Sequence, residues 1–277
     1  MSIRTVVKKV IKILNSKEKV PIVQRKEKDT MLMGKIALVT GGSGGIGQAI
    51  AKELVYHGAK VILAGTDEEK LAQCCIKMKS KNVKTIVLNL NDISSFSKKI
   101  EDAKKMFEGN QIDILVNSAG VNPRKGFFEI SEYDYDSTME INVKGMFFLC
   151  RTIAEDMIKN NIKGHILNIS SSSALRPAWS PYEMSKWTVR GFTIGLADLL
   201  IPYGIVVNAI APGPTATPML GVKEGEDIDL PNSPIGRYSS PEEIASLAVL
   251  LVSDMGNLVI GDTVYATGGS GVISLHK

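Results

Sequence analysis

Ile36-Ala37-Leu38-Val39-Thr40-Gly41-Gly42-Ser43-Gly44-Gly45-Ile46-Gly47 is the stretch on which the fold turns. Its first half is a continuous aliphatic run of strand length, which suits a strand covered on both faces. The glycines that follow lead directly into an apolar-periodic helix expected from Gln48. Glycine at a strand-to-helix turn lets the backbone bend sharply and approach a ligand closely, and the start of the helix offers unpaired N–H groups to an anion. A pyrophosphate fits that description. No Lys-Ser or Lys-Thr pair follows the glycines, so the loop is not a P-loop for nucleoside triphosphates.

Downstream, short β-branched or aliphatic runs alternate with longer helical patterns. Strands are predicted at 36–40, 60–64, 85–88, 112–117, 164–170, 204–210 and 263–266, and helices at 48–57, 68–79, 94–107, 133–160, 182–201 and 241–252. Strict alternation implies a parallel sheet with right-handed crossovers. The expected fold is therefore α/β, a single Rossmann-type doubly wound sheet of about seven strands flanked by helices, with ligands at the carboxyl ends of the strands. The chain has 277 residues, no Pro-, Gly- or Ser-rich linker and no internal repeat. One dinucleotide-binding catalytic domain over residues 31–277 follows, preceded by an extension at 1–30.

Composition excludes several classes. With 44% hydrophobic and 22% charged residues the chain is ordinary globular material, and its apolar runs, such as 247–252, fall far short of the ~20 residues needed to cross a bilayer. Cys74, Cys75 and Cys150 do not form a disulfide framework. Together with the lack of an apolar signal peptide, this points to a reducing cytoplasm. His57, His165 and His276 stand singly, without ligands at metal spacing, so no metal is expected. The net charge of +4 hides an asymmetry: Arg4, Lys8, Lys9, Lys12, Lys17, Lys19, Arg25, Lys26 and Lys28 oppose only Glu18, Glu27 and Asp29 in the extension. The rest of the chain is slightly acidic, and no nucleic-acid partner is expected.

The glycine spacing, Thr40-Gly41-x-x-x-Gly45-x-Gly47, resembles the Thr-Gly-x-x-x-Gly-x-Gly pattern of the short-chain dehydrogenase/reductase family, whose other motifs follow in order. Asn117-Ser118-Ala119-Gly120 resembles the Asn-Asn-Ala-Gly segment that supports the sheet and walls the cofactor pocket. Ile141-Asn142-Val143-Lys144-Gly145 resembles the helix segment whose Asn holds a water for proton transfer; an Asn inside a helix is weakly unfavourable and wants a compensating hydrogen bond. Asn168-Ile169-Ser170-Ser171-Ser172-Ser173 resembles the Asn-x-Ser-Ser element, whose second serine bonds the substrate oxygen. That match selects Ser171, with Ser172 and Ser173 as rivals, because four consecutive serines and a short spacing to Tyr182 leave the register open.

Tyr182-Glu183-Met184-Ser185-Lys186 carries the chemistry. Ser180 suits a helix cap and Pro181 a first turn, which puts Tyr182 and Lys186 at i and i+4 on one helical face. A phenol of pKa ~10 is a poor base near neutrality, but an adjacent ammonium stabilises the phenolate and lowers that value. Tyr182 can then exchange a proton with an alkoxide or alcohol. The resemblance spans residues 34–271, ending on Thr267-Gly268-Gly269. It implies a metal-independent oxidoreductase that moves a hydride between a nicotinamide cofactor and a carbonyl or alcohol carbon, with Asn142, Ser171, Tyr182 and Lys186 as its catalytic set.

The resemblance also implies the cofactor contacts. They are Thr40, Gly41, Ser43, Gly45, Ile46 and Gly47 in the loop, Thr66 and Asn89 at the adenosine end, Asn117, Ala119 and Gly120 on the wall, and Tyr182 and Lys186 at the ribose. Pro212, Gly213 and Thr217 complete the set through the family's Pro-Gly segment. Ala64-Gly65-Thr66-Asp67 bears on the choice of cofactor. Gly65 stands where NAD-specific members place an acidic residue, and Thr66 where many NADP-specific members place arginine. With no carboxylate to repel a 2′-phosphate, NADP(H) is favoured over NAD(H), while Asp67 keeps NAD in play. Asn89 replaces the usual aspartate near the adenine, and its carbonyl oxygen can accept the same bond.

The substrate is expected to be a small carbonyl or alcohol compound, held by the loops 121–128 and 174–180 and by a lid at 214–234. Arg124, Lys125, Arg176 and Trp179 in those loops suit a polar or anionic substrate. Two rivals remain: a dinucleotide-binding sensor or scaffold without turnover, and a methyltransferase with a glycine loop. A serine hydrolase is excluded by the lack of a Gly-x-Ser-x-Gly elbow. A homo-oligomer, most often a tetramer in the family, is expected through the helices at 133–160 and 182–201, whose Met146, Phe147, Phe148, Phe192 and Leu196 exceed what one buried face needs. In the extension, Ile3, Val6, Val7, Val10, Ile11 and Leu14 recur at helical spacing opposite Arg4, Lys8 and Lys12. The lack of Trp or Phe there favours packing or disorder over contact with a membrane surface.

Overall fold

The computed structural model describes residues 30–109, 111–223 and 225–274. The amphipathic reading of 1–30 lies outside the described residues except for Thr30. Seven strands form one parallel sheet: β1 (Ile36–Thr40), β2 (Lys60–Gly65), β3 (Val83–Val87), β4 (Ile114–Asn117), β5 (His165–Ile169), β6 (Val206–Pro212) and β7 (Thr263–Ala266), in the order β3-β2-β1-β4-β5-β6-β7. Every residue of β1 is buried. Ile36 and Leu38 enter one core and Ala37 and Val39 the other, the two layers that the unbroken aliphatic run implied. After β3 the chain returns to the opposite side of β1, so the loops leaving β1 and β4 diverge. The resulting crevice lies above the paired ends Thr40 and Asn117.

The helices are α1 (Gly45–Tyr56), α2 (Glu68–Met78), α3 (Phe96–Lys104), α4 (Glu132–Met139), α5 (Met146–Lys159), α6 (Pro181–Leu200) and α7 (Pro241–Leu251). Side chains cap α2, α4, α6 and α7 through Asp67, Ser131, Ser180 and Ser240, each satisfying a backbone donor that would otherwise be left at the helix start. By contrast, α1 begins at Gly45, three residues earlier than expected, without a side-chain cap.

The continuous helix expected at 133–160 is corrected by a π turn, Glu140–Gly145, between α4 and α5. Packing accounts for its place: a Cβ on Gly145 would overlap the Leu90 carbonyl, and the Asn142 amide is held by neighbours outside its own helix. Such turns insert an extra residue where a side chain must be re-aimed. The three cysteines are free thiols. Among the described residues no helix is long and apolar enough to cross a membrane, and no cluster of His, Cys, Asp and Glu could hold a metal ion.

Candidate active site

At the crevice, Gly41 has φ +63°, and a Cβ there would lie 2.9 Å from the backbone of Ala119. The Gly44 N–H closes the turn on the Gly41 carbonyl at 2.9 Å. Gly45 opens α1 beneath Thr217, whose methyl would lie 2.6 Å from an added Cβ. Ser43 and Ile46 are half-buried along the same turn, and Gly47 packs against the Gly41 carbonyl. A backbone cradle with an uncapped helix start fits a dinucleotide pyrophosphate.

Thr40 and Asn117, two of the expected cofactor contacts, also hold the sheet together. The Thr40 hydroxyl accepts the N–H groups of Ser118 (3.1 Å) and Ala119 (3.2 Å), tying β1 to the loop after β4. The buried Asn117 amide donates to Asn168 Oδ1 (2.9 Å) and Cys150 Sγ (3.1 Å), so it is directed into the protein rather than into the crevice. Gly120 does stand in the wall, since a Cβ there would lie 3.2 Å from Asn142 Oδ1 and 3.7 Å from Lys186 Nζ. Pro212 ends β6, and Gly213 is pinned to β7 by its N–H to the Ala266 carbonyl (3.0 Å).

Thr66 and Asn89 are exposed beyond the ends of β2 and β3. The Asn89 carbonyl oxygen already accepts the Asn91 N–H at 3.0 Å, so the lone pair that the sequence assigned to adenine is partly engaged. Asp67 is occupied as well. It caps α2 through the Lys70 N–H (3.0 Å) and pairs with Lys70 Nζ (3.0 Å), bonds that hold its carboxyl below the usual range.

The catalytic candidates converge at the start of α6. Tyr182 lies beside Ser171, close enough for the serine hydroxyl to influence the phenol, and Ser171 Oγ accepts the Ser173 N–H at 3.1 Å. Ser172 is buried in the turn that follows and Ser173 borders the cleft, so of the rivals it is Ser171 that meets the phenol. Buried Lys186 donates to the Ile169 carbonyl at 2.8 Å and lies 5.5 Å from the centre of the Tyr182 ring. Burial pushes the Lys186 ammonium down to about 8.

The expectation that Lys186 depresses Tyr182 is corrected here. Burial raises the phenol above its ordinary value against the opposing influence of Ser171, while the ammonium is directed to a backbone carbonyl. Tyr182 is thus a neutral phenol at pH 7. The Asn142 amide is also fully engaged, accepting the Val121 N–H (2.8 Å) and donating to the Val121 carbonyl (2.9 Å) and Ser185 Oγ (3.1 Å). Its side chain staples the loop after β4 to α6.

A cleft of about 370 Å³ opens beside Tyr182, bordered by Asn122, Arg124, Lys125, Ser173 and Trp179. Trp179 also borders an apolar groove of about 350 Å³ with Phe127, Tyr135 and Met184. Arg176, expected at the substrate, instead donates to Ser270 Oγ at 2.7 Å. Sequence reading missed Ser185, Glu183 and Asn122. Glu183 was legible, since Ser180-x-x-Glu183 is a capping-box signature; Ser185 and Asn122 act through tertiary contacts that leave no local pattern.

The class that this crevice defines is an oxidoreductase that works with a nicotinamide dinucleotide on carbonyl or alcohol groups. Residues 35–227 match the family model for short chain dehydrogenase. The 3-oxoacyl-(acyl-carrier-protein) reductase of Aquifex aeolicus is 35% identical over 245 residues, 86% of this chain and 98% of that protein. Gluconate 5-dehydrogenase of Gluconobacter oxydans is 34% identical over 246 residues, 86% of this chain and 95% of that protein. A crystal structure of 3-ketoacyl-(acyl-carrier-protein) reductase from Brucella melitensis complexed with NADH superposes with a TM-score of 0.79 at 26% identity, covering 87% of this chain and 100% of that one. The chain belongs to the short-chain dehydrogenase/reductase family.

Proposed function

We propose that the protein exchanges a hydride between NADP(H) and a small carbonyl or alcohol substrate whose oxygen lies between Ser171 and Tyr182. The observation that carries this reading is the convergence of Tyr182, which borders the cleft, with Ser171 beside it and buried Lys186 5.5 Å from its ring. When bound, the nicotinamide supplies or takes the hydride. Tyr182, neutral at pH 7, gives its phenolic proton to the substrate oxygen as charge develops there, and Ser171 holds that oxygen. Lys186 binds the cofactor ribose beside the Tyr182 ring. Asn142 acts as a positioning residue, fixing the Val121 loop against α6. Gly41, Ser43, Gly45, Ile46 and Gly47 cradle the pyrophosphate, with Thr217 above them.

The engagement of Asp67 by Lys70 supports NADP(H), because the carboxylate that kept NAD in play is turned to its own helix. A homo-oligomer joined through α5 and α6 is supported by exposed Phe147, Trp187, Ile194 and Leu199. We place the enzyme in the cytoplasm, with residues 1–30 as an extension outside the catalytic domain. Tyr182→Phe tests the central assignment: turnover should fall by about two orders of magnitude or more, while fluorescence titration still shows binding of reduced cofactor, tighter for NADPH than for NADH. Near-normal turnover in that variant refutes the role of Tyr182.

A further inference from the structure

Arg124 is set apart from the other cations around the cleft. Among the described residues, Lys79, Arg124 and Asn161 are the non-glycine residues with positive φ. Lys79 lies at the end of α2 and Asn161 just beyond α5, positions where a left-handed residue commonly stops a helix. Arg124, at φ +56°, ends no helix. Its conformation is held by Asn122, whose Oδ1 accepts the Arg124 N–H at 3.0 Å. A long side chain kept in a disfavoured backbone region is a mark of a functional site.

The charges facing the cleft are Arg124, Lys125 and Glu183. Lys125 is answered by Asp134, with Nζ to Oδ2 at 2.7 Å. Glu183 is engaged as the cap of α6, where it accepts the N–H groups of Trp179 (2.9 Å) and Ser180 (3.0 Å). Among the described residues no carboxylate pairs with Arg124. Its NH1 donates to the Met219 carbonyl at 3.0 Å, which steadies the guanidinium between the loop after β4 and the segment following Thr217. That bond uses one of five donors, and the remaining fork has the geometry that takes a carboxylate through two parallel bonds.

We propose that Arg124 recognises a carboxylate on the substrate, so that the enzyme acts on small keto acids and hydroxy acids as their anions. The proposal builds on the hydride-transfer reading and names its substrate class. In reduction, the hydride goes from the cofactor to the keto carbon, the Tyr182 proton goes to the resulting alkoxide, and the carboxylate stays unchanged on Arg124.

The test compares acetoacetate, levulinate and 5-oxohexanoate with their methyl esters, using NADPH. Each pair keeps the ketone and removes the charge, and the series varies the spacing between carbonyl and carboxylate. At the best spacing kcat/KM should favour the acid by about tenfold or more, the scale of a charge-assisted hydrogen bond, and the difference should lie in KM. In Arg124→Met the acid-to-ester ratio should collapse towards one, and Arg124→Lys should restore part of it. Equal kcat/KM for acids and esters in the wild type, or an unchanged ratio in Arg124→Met, overturns the proposal. Calorimetry with unreactive glutarate keeps the two readings separable: binding lost in Arg124→Met supports the carboxylate site even if no ketone is reduced, and equal binding to both proteins overturns it.

Discussion

Lys186→Met should make the cofactor-free protein more stable while making it inactive. The ammonium is buried, and its pKa of about 8 compares with 10.5 for an ordinary lysine. At about 1.4 kcal/mol per unit, the charged form is disfavoured in the folded state by about 3 kcal/mol at neutral pH. Methionine removes that penalty but leaves the Ile169 carbonyl without its 2.8 Å donor, at a cost of about 1 kcal/mol. A net gain of about 2 kcal/mol remains. For a chain of this size the midpoint of thermal unfolding should rise by roughly 4 °C or more at fixed protein concentration. The pH dependence gives an independent check. The folded pKa lies below the unfolded one, so the unfolded state binds more protons between about 8 and 10.5. The wild type should therefore gain stability as the pH rises through that window and Lys186→Met should not. Urea titrations at pH 7 and 9.5 measure both effects. A variant less stable than the wild type at pH 7, with the same slope against pH, would refute the reasoning.

Gly45→Val should abolish binding of reduced cofactor, measured by fluorescence, because an added Cβ would lie 2.6 Å from the Thr217 methyl where the cradle closes. His165 is buried with Nε2 at 3.0 Å from Asn257 Oδ1, and burial lowers its pKa below 6.5. Its neutral form is the one that folds, so stability present above pH 6.5 should drain away as the pH falls towards the folded value; His165→Gln should flatten that loss between pH 7 and 5 in denaturant titrations. Deleting residues 1–30 should leave co-sedimentation with anionic liposomes unchanged, and a smaller oligomer by sedimentation would assign the extension to subunit packing.

What the chain determined by itself is whatever rests on local order along the backbone. The aliphatic run at Ile36–Thr40, leading straight into the glycine turn, reads as a strand covered on both faces. The glycines at 41, 45 and 47 mark a turn with no room for a side chain, and Ser180-Pro181 with Tyr182 and Lys186 sets two side chains on one helical face. Regular alternation then makes a parallel sheet with its crevice beside β1, which sequence order alone conveys. What only the tertiary structure decided is where each polar group finds its partner. Thr40 and Asn117 carry the right residue types for a ligand, yet their bonds go to Ala119 and Asn168. Asp67 caps its own helix, Arg176 turns to Ser270, and the sign of the Tyr182 shift depends on how deeply the phenol is buried. Hydrogen-bond partners more than a few turns apart, and the desolvation that moves a pKa, depend on which atoms close the space around a group. That enclosure exists only once β1, β4 and α6 have been packed together.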